Sequence, residues 1–145
     1  MPRFHILALV ALALSAVATA APLSAADLEI RVEGVENSRG DIRLTLFAGD
    51  DFLDFGRVLV RVVEPAQVGS VTLRLSGLAP GAYAFSLAHD ENGNGTLDRN
   101  FLGIPKEGVA VSNDARGFLG PPSAEDATFD LLGPETRQVV QLVYF

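Results

Sequence analysis

Apolar and polar residues alternate along most of the chain after residue 26. The first run places Leu28, Ile30 and Val32 on one side and charged residues between them. The alternating runs cover residues 28–32, 42–46, 58–62, 71–75, 83–87, 129–131 and 138–145. This period of two predicts strands with one buried face and one solvated face, which is typical of antiparallel sheets.

Segments rich in glycine and proline separate these runs, at residues 38–40, 48–50, 65–69, 79–81 and 133–134. Short strands with such turns between them predict a sandwich or a barrel. We therefore expect an all-β fold, an antiparallel β-sandwich of about seven strands of the immunoglobulin-like or prealbumin-like kind. Residues 51–55 are the one stretch in which we expect a helical turn.

The N-terminal segment has the composition of a secretory signal peptide. Arg3 precedes an apolar run at 6–14, and the small residues Ala18, Thr19 and Ala20 follow it. This order predicts cleavage after residue 20, with a second possible cut after Ala26. The run is short for a membrane anchor, which needs about 20 apolar residues. We expect a periplasmic or secreted bacterial protein with a single domain at 27–145 and no membrane-spanning helix.

Composition and charge exclude several classes of function. The chain has no cysteine, which excludes disulfides, thiolate metal sites and a cysteine nucleophile. After loss of Arg3 the mature chain has 18 acidic and 10 basic residues, a formal charge of −8. We therefore expect no nucleic-acid partner, because phosphate binding needs a basic surface.

The segment 90–98 carries the clearest chemical signal. Counted from Asp90, oxygen-bearing side chains stand at positions one, three and five, glycine at six, and oxygen again at seven and nine. The residues with ligand oxygens are Asp90, Asn92, Asn94, Thr96 and Asp98. This spacing is that of the first part of an EF-hand calcium loop, in which alternate residues turn oxygens towards the ion. It predicts a calcium site.

The later part of the loop departs from an EF-hand. Position twelve, where an EF-hand has a bidentate glutamate, is Phe101, and no helix pattern flanks the segment. Calcium would then need an outside carboxylate from Glu91, Glu107 or Asp114, and its dissociation constant would be roughly 10⁻⁴–10⁻³ M. The alternative is a metal-free polar turn, since two Asn-Gly pairs form turns by themselves.

The segment 101–127 has little periodicity. Irregular stretches of more than about 12–15 residues are uncommon in compact domains and are usually functional or disordered. It presents either a binding surface at 106–122, with Lys106, Glu107 and Asn113 displayed, or a cover over an open sheet edge.

Catalytic groups are sparse in the mature sequence. His89 is its only histidine, with Ser86 or Ser112 as conceivable nucleophiles, and no Gly-x-Ser-x-Gly motif is present. We expect no enzyme. The leading hypothesis is an exported non-catalytic module with a weak calcium site. The alternatives are a ligand-binding or adhesive module that uses 106–122 and, less favoured, a hydrolase.

The same region carries a family resemblance. The run from His89 to Asn100 is followed by Gly-Ile-Pro-Lys-Glu-Gly at 103–108, Ser-Asn at 112–113, Gly-Pro-Pro at 120–122 and Ala-Thr-Phe at 127–129. Together they resemble the domain-of-unknown-function family DUF2141, small exported bacterial proteins. The resemblance implies export and a β-rich domain, and no activity. The lead-in Pro80-Gly81-Ala82-Tyr83 also resembles prealbumin-like modules of bacterial surface proteins.

Overall fold

The computed structural model describes residues 24–145. The predicted signal peptide at 1–20 lies outside the described residues. Two sheets pack face to face and are built from eight strands. The first sheet has three strands and the second has five.

The three-stranded sheet is centred on β1 (Ala26–Val35). On one side β1 pairs antiparallel with β4 (Gly69–Leu78), and on the other it pairs parallel with β8 (Glu135–Gln141). The alternation seen in the sequence sets the orientation of the strand: Leu28, Ile30 and Val32 are at most 1% exposed, whereas the residues between them face the solvent.

The five-stranded sheet has β3 (Val60–Pro65), β2 (Asp41–Ala48) and β5 (Gly81–Asp90) in that order. The outer edge of β5 pairs with two short strands, β6 (Val109–Val111) and β7 (Phe129–Leu131). All of these pairs are antiparallel. The register of β2 places Asp41 opposite Asp90, so the β1–β2 turn lies beside the exit of β5.

The core lies between the two sheets and is formed by the inward residues of both. Its largest fully buried apolar side chains are Phe85, Leu28, Ile30, Ile42, Leu44, Leu46, Leu73, Leu131, Val32 and Val140. Burial of each such side chain contributes about 1.5–3 kcal/mol before entropy is counted. The predicted all-β sandwich is confirmed.

The structure differs from the prediction in several details. The sandwich has eight strands, in agreement with the expected number of about seven, and the strand that was not predicted is β6. The last strand spans Glu135–Gln141 instead of 138–145, and its pairing with β1 is parallel. The helical turn expected at 51–55 begins earlier, as a 3-10 turn at Gly49–Asp51, and a one-turn helix α1 (Ala124–Ala127) was also missed.

The segment 101–127 covers an edge of the five-stranded sheet. Its residues Val109–Val111 form β6 against β5, and a 3-10 turn at Ser112–Asp114 and then α1 follow. Of the two alternatives for this segment, an edge cover is therefore seen at residues 109–111. The expectation that Glu107 is displayed is wrong, since it is 4% exposed. Within residues 24–145, no helix is long and apolar enough to cross a membrane.

Candidate functional site

The site begins where β5 ends, at a fully buried histidine. His89 is 0% exposed, with Nε2 2.8 Å from the carbonyl oxygen of Arg39 and Nδ1 2.7 Å from the hydroxyl of Tyr144. A carbonyl only accepts, so Nε2 carries the proton and Nδ1 accepts from Tyr144. The backbone N–H of His89 donates to Gly108 at 2.8 Å. The ring and the backbone of His89 together thus link three segments around the start of the loop.

Tyr144 completes this buried network. Its hydroxyl oxygen accepts from the N–H of Glu36 at 3.3 Å, and its ring packs edge-on against His89. Burial raises the pKa of Tyr144 above its usual value of 10.0, because the phenolate would lose solvation. The tyrosine is therefore held as the neutral donor that His89 requires.

The buried carboxylate of Asp90 holds the backbone of the loop by hydrogen bonds. It is 1% exposed, and its two carboxylate oxygens accept from the N–H groups of Asn94 at 3.1 Å and Gly95 at 2.8 Å. The Arg43 guanidinium lies 3.7 Å from Oδ2 and offsets part of the buried charge. These contacts bend residues 90–95 into a tight turn around one carboxylate.

The other predicted ligands meet above this anchor. The amides of Asn92 and Asn94 donate to the same oxygen, Oδ2 of Asp98, at 2.6 and 3.1 Å. Oδ1 of Asn94 accepts from the N–H and the hydroxyl of Thr96, at 2.8 and 2.9 Å. The structure therefore brings together the side chains of Asn92, Asn94, Thr96 and Asp98. The carboxylate of Asp90 contacts backbone N–H groups of the loop and Arg43 instead.

Glu107 joins this cluster from another part of the chain. Its Oε2 accepts from the N–H of Asp98 at 3.1 Å, and Lys106 N donates to Asp98 O at 2.9 Å. The second carboxylate oxygen of Glu107 is buried and has no hydrogen-bond partner among the described residues. Sequence reasoning named Glu107 as one of three candidate outside ligands, and placed it wrongly on the surface.

The two other candidate carboxylates each accept two hydrogen bonds on one of their oxygens. Glu91 accepts from the side chains of Asn37, at 3.1 Å, and Arg39. Asp114 accepts from Arg116 and from the N–H of Gln141, both away from the loop. Of the three, only Glu107 accepts from Asp98 and has a buried oxygen without a partner among residues 24–145.

A polar cavity of about 350 Å³ opens between the loop and the β1–β2 turn. It is lined by Arg39, Glu91, Asn92, Asp98, Lys106 and Glu107. Three carboxylates against two cations leave the lining with an excess of one formal negative charge. Such a lining suits a cation with oxygen ligands better than an apolar ligand.

The cluster is rich in oxygen and poor in charge. In the described part of the chain, no three His, Cys, Asp or Glu side chains are close enough together to hold a metal ion by themselves. Asparagine side chains and backbone carbonyls would have to supply the remaining ligands, as they do in many calcium sites. The donor set accordingly favours calcium bound weakly over a tightly held transition metal.

Ser112, one of the two candidate nucleophiles, is not a hydrogen-bond partner of His89. The hydroxyl of Ser112 is 3.0 Å from Phe85 N and 2.5 Å from Ala127 O, so it is bound to backbone groups. Both ring nitrogens of His89 are engaged as described above, and the ring has no exposed surface.

Comparison with known proteins gives one match. A family profile with the description "Uncharacterized protein conserved in bacteria (DUF2141)" matches residues 30–139, about three quarters of the chain. The chain belongs to this family. The match runs from Ile30 in β1 to Val139 in β8 and includes loop 90–98 and Glu107, but not Tyr144. No curated protein and no solved structure matches the chain.

Proposed function

We propose that this DUF2141 protein is an exported, non-catalytic β-sandwich module whose loop 90–98 binds calcium weakly. The observation that carries the proposal is the meeting of Asn92, Asn94 and Asp98 above the buried anchor Asp90. Residues with calcium-ligand spacing in the sequence thus share one small volume in the fold.

Binding would change the hydrogen bonds of the loop. The asparagine amides now donate to Asp98, so each would turn its oxygen towards the ion and give up that bond. The ligands would then be oxygens of Asp90, Asn92, Asn94 and Asp98, with the backbone carbonyl of Thr96 at position seven. Because the metal-free bonds compete with the ion, the affinity stays low.

Weak binding still contributes to stability. With a dissociation constant of roughly 10⁻⁴–10⁻³ M, calcium would occupy the loop in an extracellular environment but not at cytosolic concentrations. Calcium at ten times its dissociation constant would stabilise the folded state by about 1.4 kcal/mol, since the unfolded chain does not bind it.

A melting curve with millimolar calcium against a chelator tests this proposal. We expect calcium to raise the midpoint of the wild-type protein by a few degrees, as this free energy implies for a domain of this size. Asp98→Asn should abolish the shift. Asp130→Asn changes an exposed carboxylate on β7 and serves as the matched control that keeps it. Equal midpoints for the wild type in calcium and in chelator would remove the metal from the account.

The buried histidine supports a non-catalytic role. A general base must reach a substrate, and the His89 ring is enclosed and doubly hydrogen-bonded. Its contacts suit a structural role at the base of the loop.

Export can be tested by the N-terminus of the mature protein. Ala26 is 0% exposed and pairs with Leu78 at the start of β1, which favours the cut after Ala20 over the cut after Ala26. We expect Edman sequencing of protein from the periplasmic fraction to begin at Ala21. An unprocessed chain in the cytoplasmic fraction would contradict the proposal.

A second candidate is a ligand-binding or adhesive module that uses the segment 106–122. The near-complete exposure of Phe118 and Leu119, 93% and 94%, favours it, because large apolar side chains at a loop tip mark contact surfaces. Phe118→Ser with Leu119→Ser should then remove a co-purified envelope partner without lowering the melting temperature. Retention of the partner by this double variant would rule out the tip as its site.

A further inference from the structure

We propose that Glu107 is the carboxylate that completes the calcium site of loop 90–98, in the place that a glutamate at position twelve has in an EF-hand. This inference rests on the proposed function and adds to it a ligand from outside the loop, in the segment that leads into β6. It also predicts that the ion links two separate parts of the fold.

The first support is the state of the Glu107 side chain. It is 4% exposed, and Oε1 is fully buried without a hydrogen-bond partner. In the range 24–145, no Lys, Arg or His nitrogen lies within the 4.0 Å of an ion pair with this carboxylate. A buried carboxylate in this condition is costly unless it is paired or coordinates a metal.

The second support is the position of this carboxylate. Oε2 accepts from the backbone of Asp98, the residue on which the two asparagine amides meet. Glu107, Asp98 and Asn92 line the same cavity. The unpartnered Oε1 therefore belongs to a side chain that already contacts Asp98, on which the two asparagine amides meet.

The third support is that the chain has no ligand side chain at position twelve, counted from Asp90. Position twelve is Phe101, which is 95% exposed, and calcium takes 6–8 oxygen ligands. The four loop side chains and one carbonyl supply five oxygens if each binds through one. A bidentate Glu107 would bring the total to seven, within that range. The loop must close around the ion to reach this number, because no three acidic side chains of residues 24–145 lie close enough together in this structure to share one.

The ion would then couple the loop to β6 and to the buried network. Gly108 follows Glu107, accepts from the N–H of His89, and lies so close to Tyr144 that a Cβ there would be 2.5 Å from the ring. Movement of Glu107 towards an ion should therefore be felt by Tyr144. The chain contains no tryptophan and two tyrosines, so Tyr83→Phe leaves Tyr144 as the only strong fluorophore.

The experiment is a calcium titration by calorimetry of the wild type, Glu107→Gln, and two matched controls, Glu91→Gln and Asp114→Asn. We expect the dissociation constant of Glu107→Gln to rise at least about tenfold, because ligand charge sets calcium affinity. Glu91 lines the same cavity and Asp114 lies outside it. The dissociation constants of Glu91→Gln and Asp114→Asn should both stay within about threefold of the wild-type value, because neither change removes a proposed ligand. In the Tyr83→Phe background, calcium should change the Tyr144 fluorescence, and Glu107→Gln should remove that change.

The melting temperature in chelator distinguishes a calcium ligand from a merely structural residue. The two roles predict changes of opposite sign for Glu107→Gln. Glu107→Gln keeps the shape and removes an unpaired buried charge, so the metal-free variant should melt at or above the wild-type temperature. A large loss of stability in chelator, with unchanged calcium affinity, would show that Glu107 only supports the backbone of Asp98. Glu107→Asp keeps the charge but shortens the reach, and is the second variant should Glu107→Gln fail to fold. It should fold and bind calcium more weakly.

The two proposals fail in different ways. Wild-type protein that gives neither calcium heat nor a shift in melting temperature would overturn the calcium site as a whole. Wild-type protein that binds calcium, with Glu107→Gln equal to it, would overturn only the role of Glu107 and leave the loop site standing.

Discussion

Gly40 shows how closely the β1–β2 turn approaches the candidate site. Its φ is +62°, and a Cβ at this position would lie 1.9 Å from the carbonyl oxygen of Asp90 and 2.9 Å from the carbonyl carbon of Glu91. Both neighbours are backbone atoms, so no change of rotamer relieves the contact. The Gly40→Ala variant must therefore move the turn away from the loop.

The magnitude follows from two terms. An alanine in the left-handed region costs about 1–2 kcal/mol. Displacement of the turn also strains the 2.8 Å contact of Arg39 O with His89 and the 3.1 Å bond from Ala66 N to Gly40 O. Loss of one buried hydrogen bond costs about 1–3 kcal/mol, so we expect a total of about 2–5 kcal/mol.

Urea unfolding followed by far-ultraviolet circular dichroism measures this loss, and Gly77→Ala is the matched control. Gly77 has a φ of +76°, but nothing lies within 4 Å of its Cβ position. Gly77→Ala should therefore show the conformational cost alone, about 1–2 kcal/mol. Equal losses of stability for the two variants would refute the claim that contact with Asp90 constrains the turn.

Three further predictions concern the buried hydroxyl of Ser112, the loss of stability in acid that involves Glu29, and the titration of Tyr144 in alkali. Ser112→Ala leaves backbone groups of Phe85 and Ala127 unpaired, so urea unfolding should show a loss of about 1–3 kcal/mol, and Ser76→Ala, on an exposed position, almost none. The hydrogen bond from Arg74 lowers the pKa of Glu29 below its usual 4.5. The contribution of Glu29 to the free energy of unfolding is therefore present above pH 4.5 and is lost as the pH falls through the pKa of Glu29 in the folded protein. The stability gap between wild type and Glu29→Gln should thus be smaller at about pH 3 than at about pH 7, and a constant gap would contradict it. Because the pKa of Tyr144 is raised in the folded protein, the contribution of Tyr144 to the free energy of unfolding is complete below pH 10.0. It is lost as the pH rises through the pKa of Tyr144 in the folded protein. Absorbance titration of the folded protein should show a phenol transition with a midpoint above 10.0 that Tyr144→Phe removes.

Alternation predicted most of the fold because it reports directly which face of a strand is buried. The inward positions 28, 30 and 32 of β1 and 42, 44 and 46 of β2 were identified in this way, and each is at most 1% exposed. Alternation does not report which strands are neighbours, so the parallel pairing of β1 with β8 could not be read from it. β6 was missed because it is three residues long and only Ala110 is buried.

The candidate site was predicted in part for a similar reason. Regular spacing placed the oxygens of loop 90–98 near one another, and the structure shows Asn92, Asn94 and Asp98 in contact. The burial of Glu107 depends on the fold of a distant segment against the exit of β5, and no local pattern reports such a contact. A charged residue beside Lys106 in a segment with glycine and proline is typical of an exposed turn.

Crystal diffraction from protein grown with millimolar calcium, with an anomalous difference map, tests the central claim most directly. We predict a peak bounded by Asp90, Asn92, Asn94, Asp98 and Glu107, with the asparagine oxygens turned towards it and oxygen distances of about 2.3–2.6 Å. Asparagine amides that still donate to Asp98, around a loop without an anomalous peak, would contradict the account.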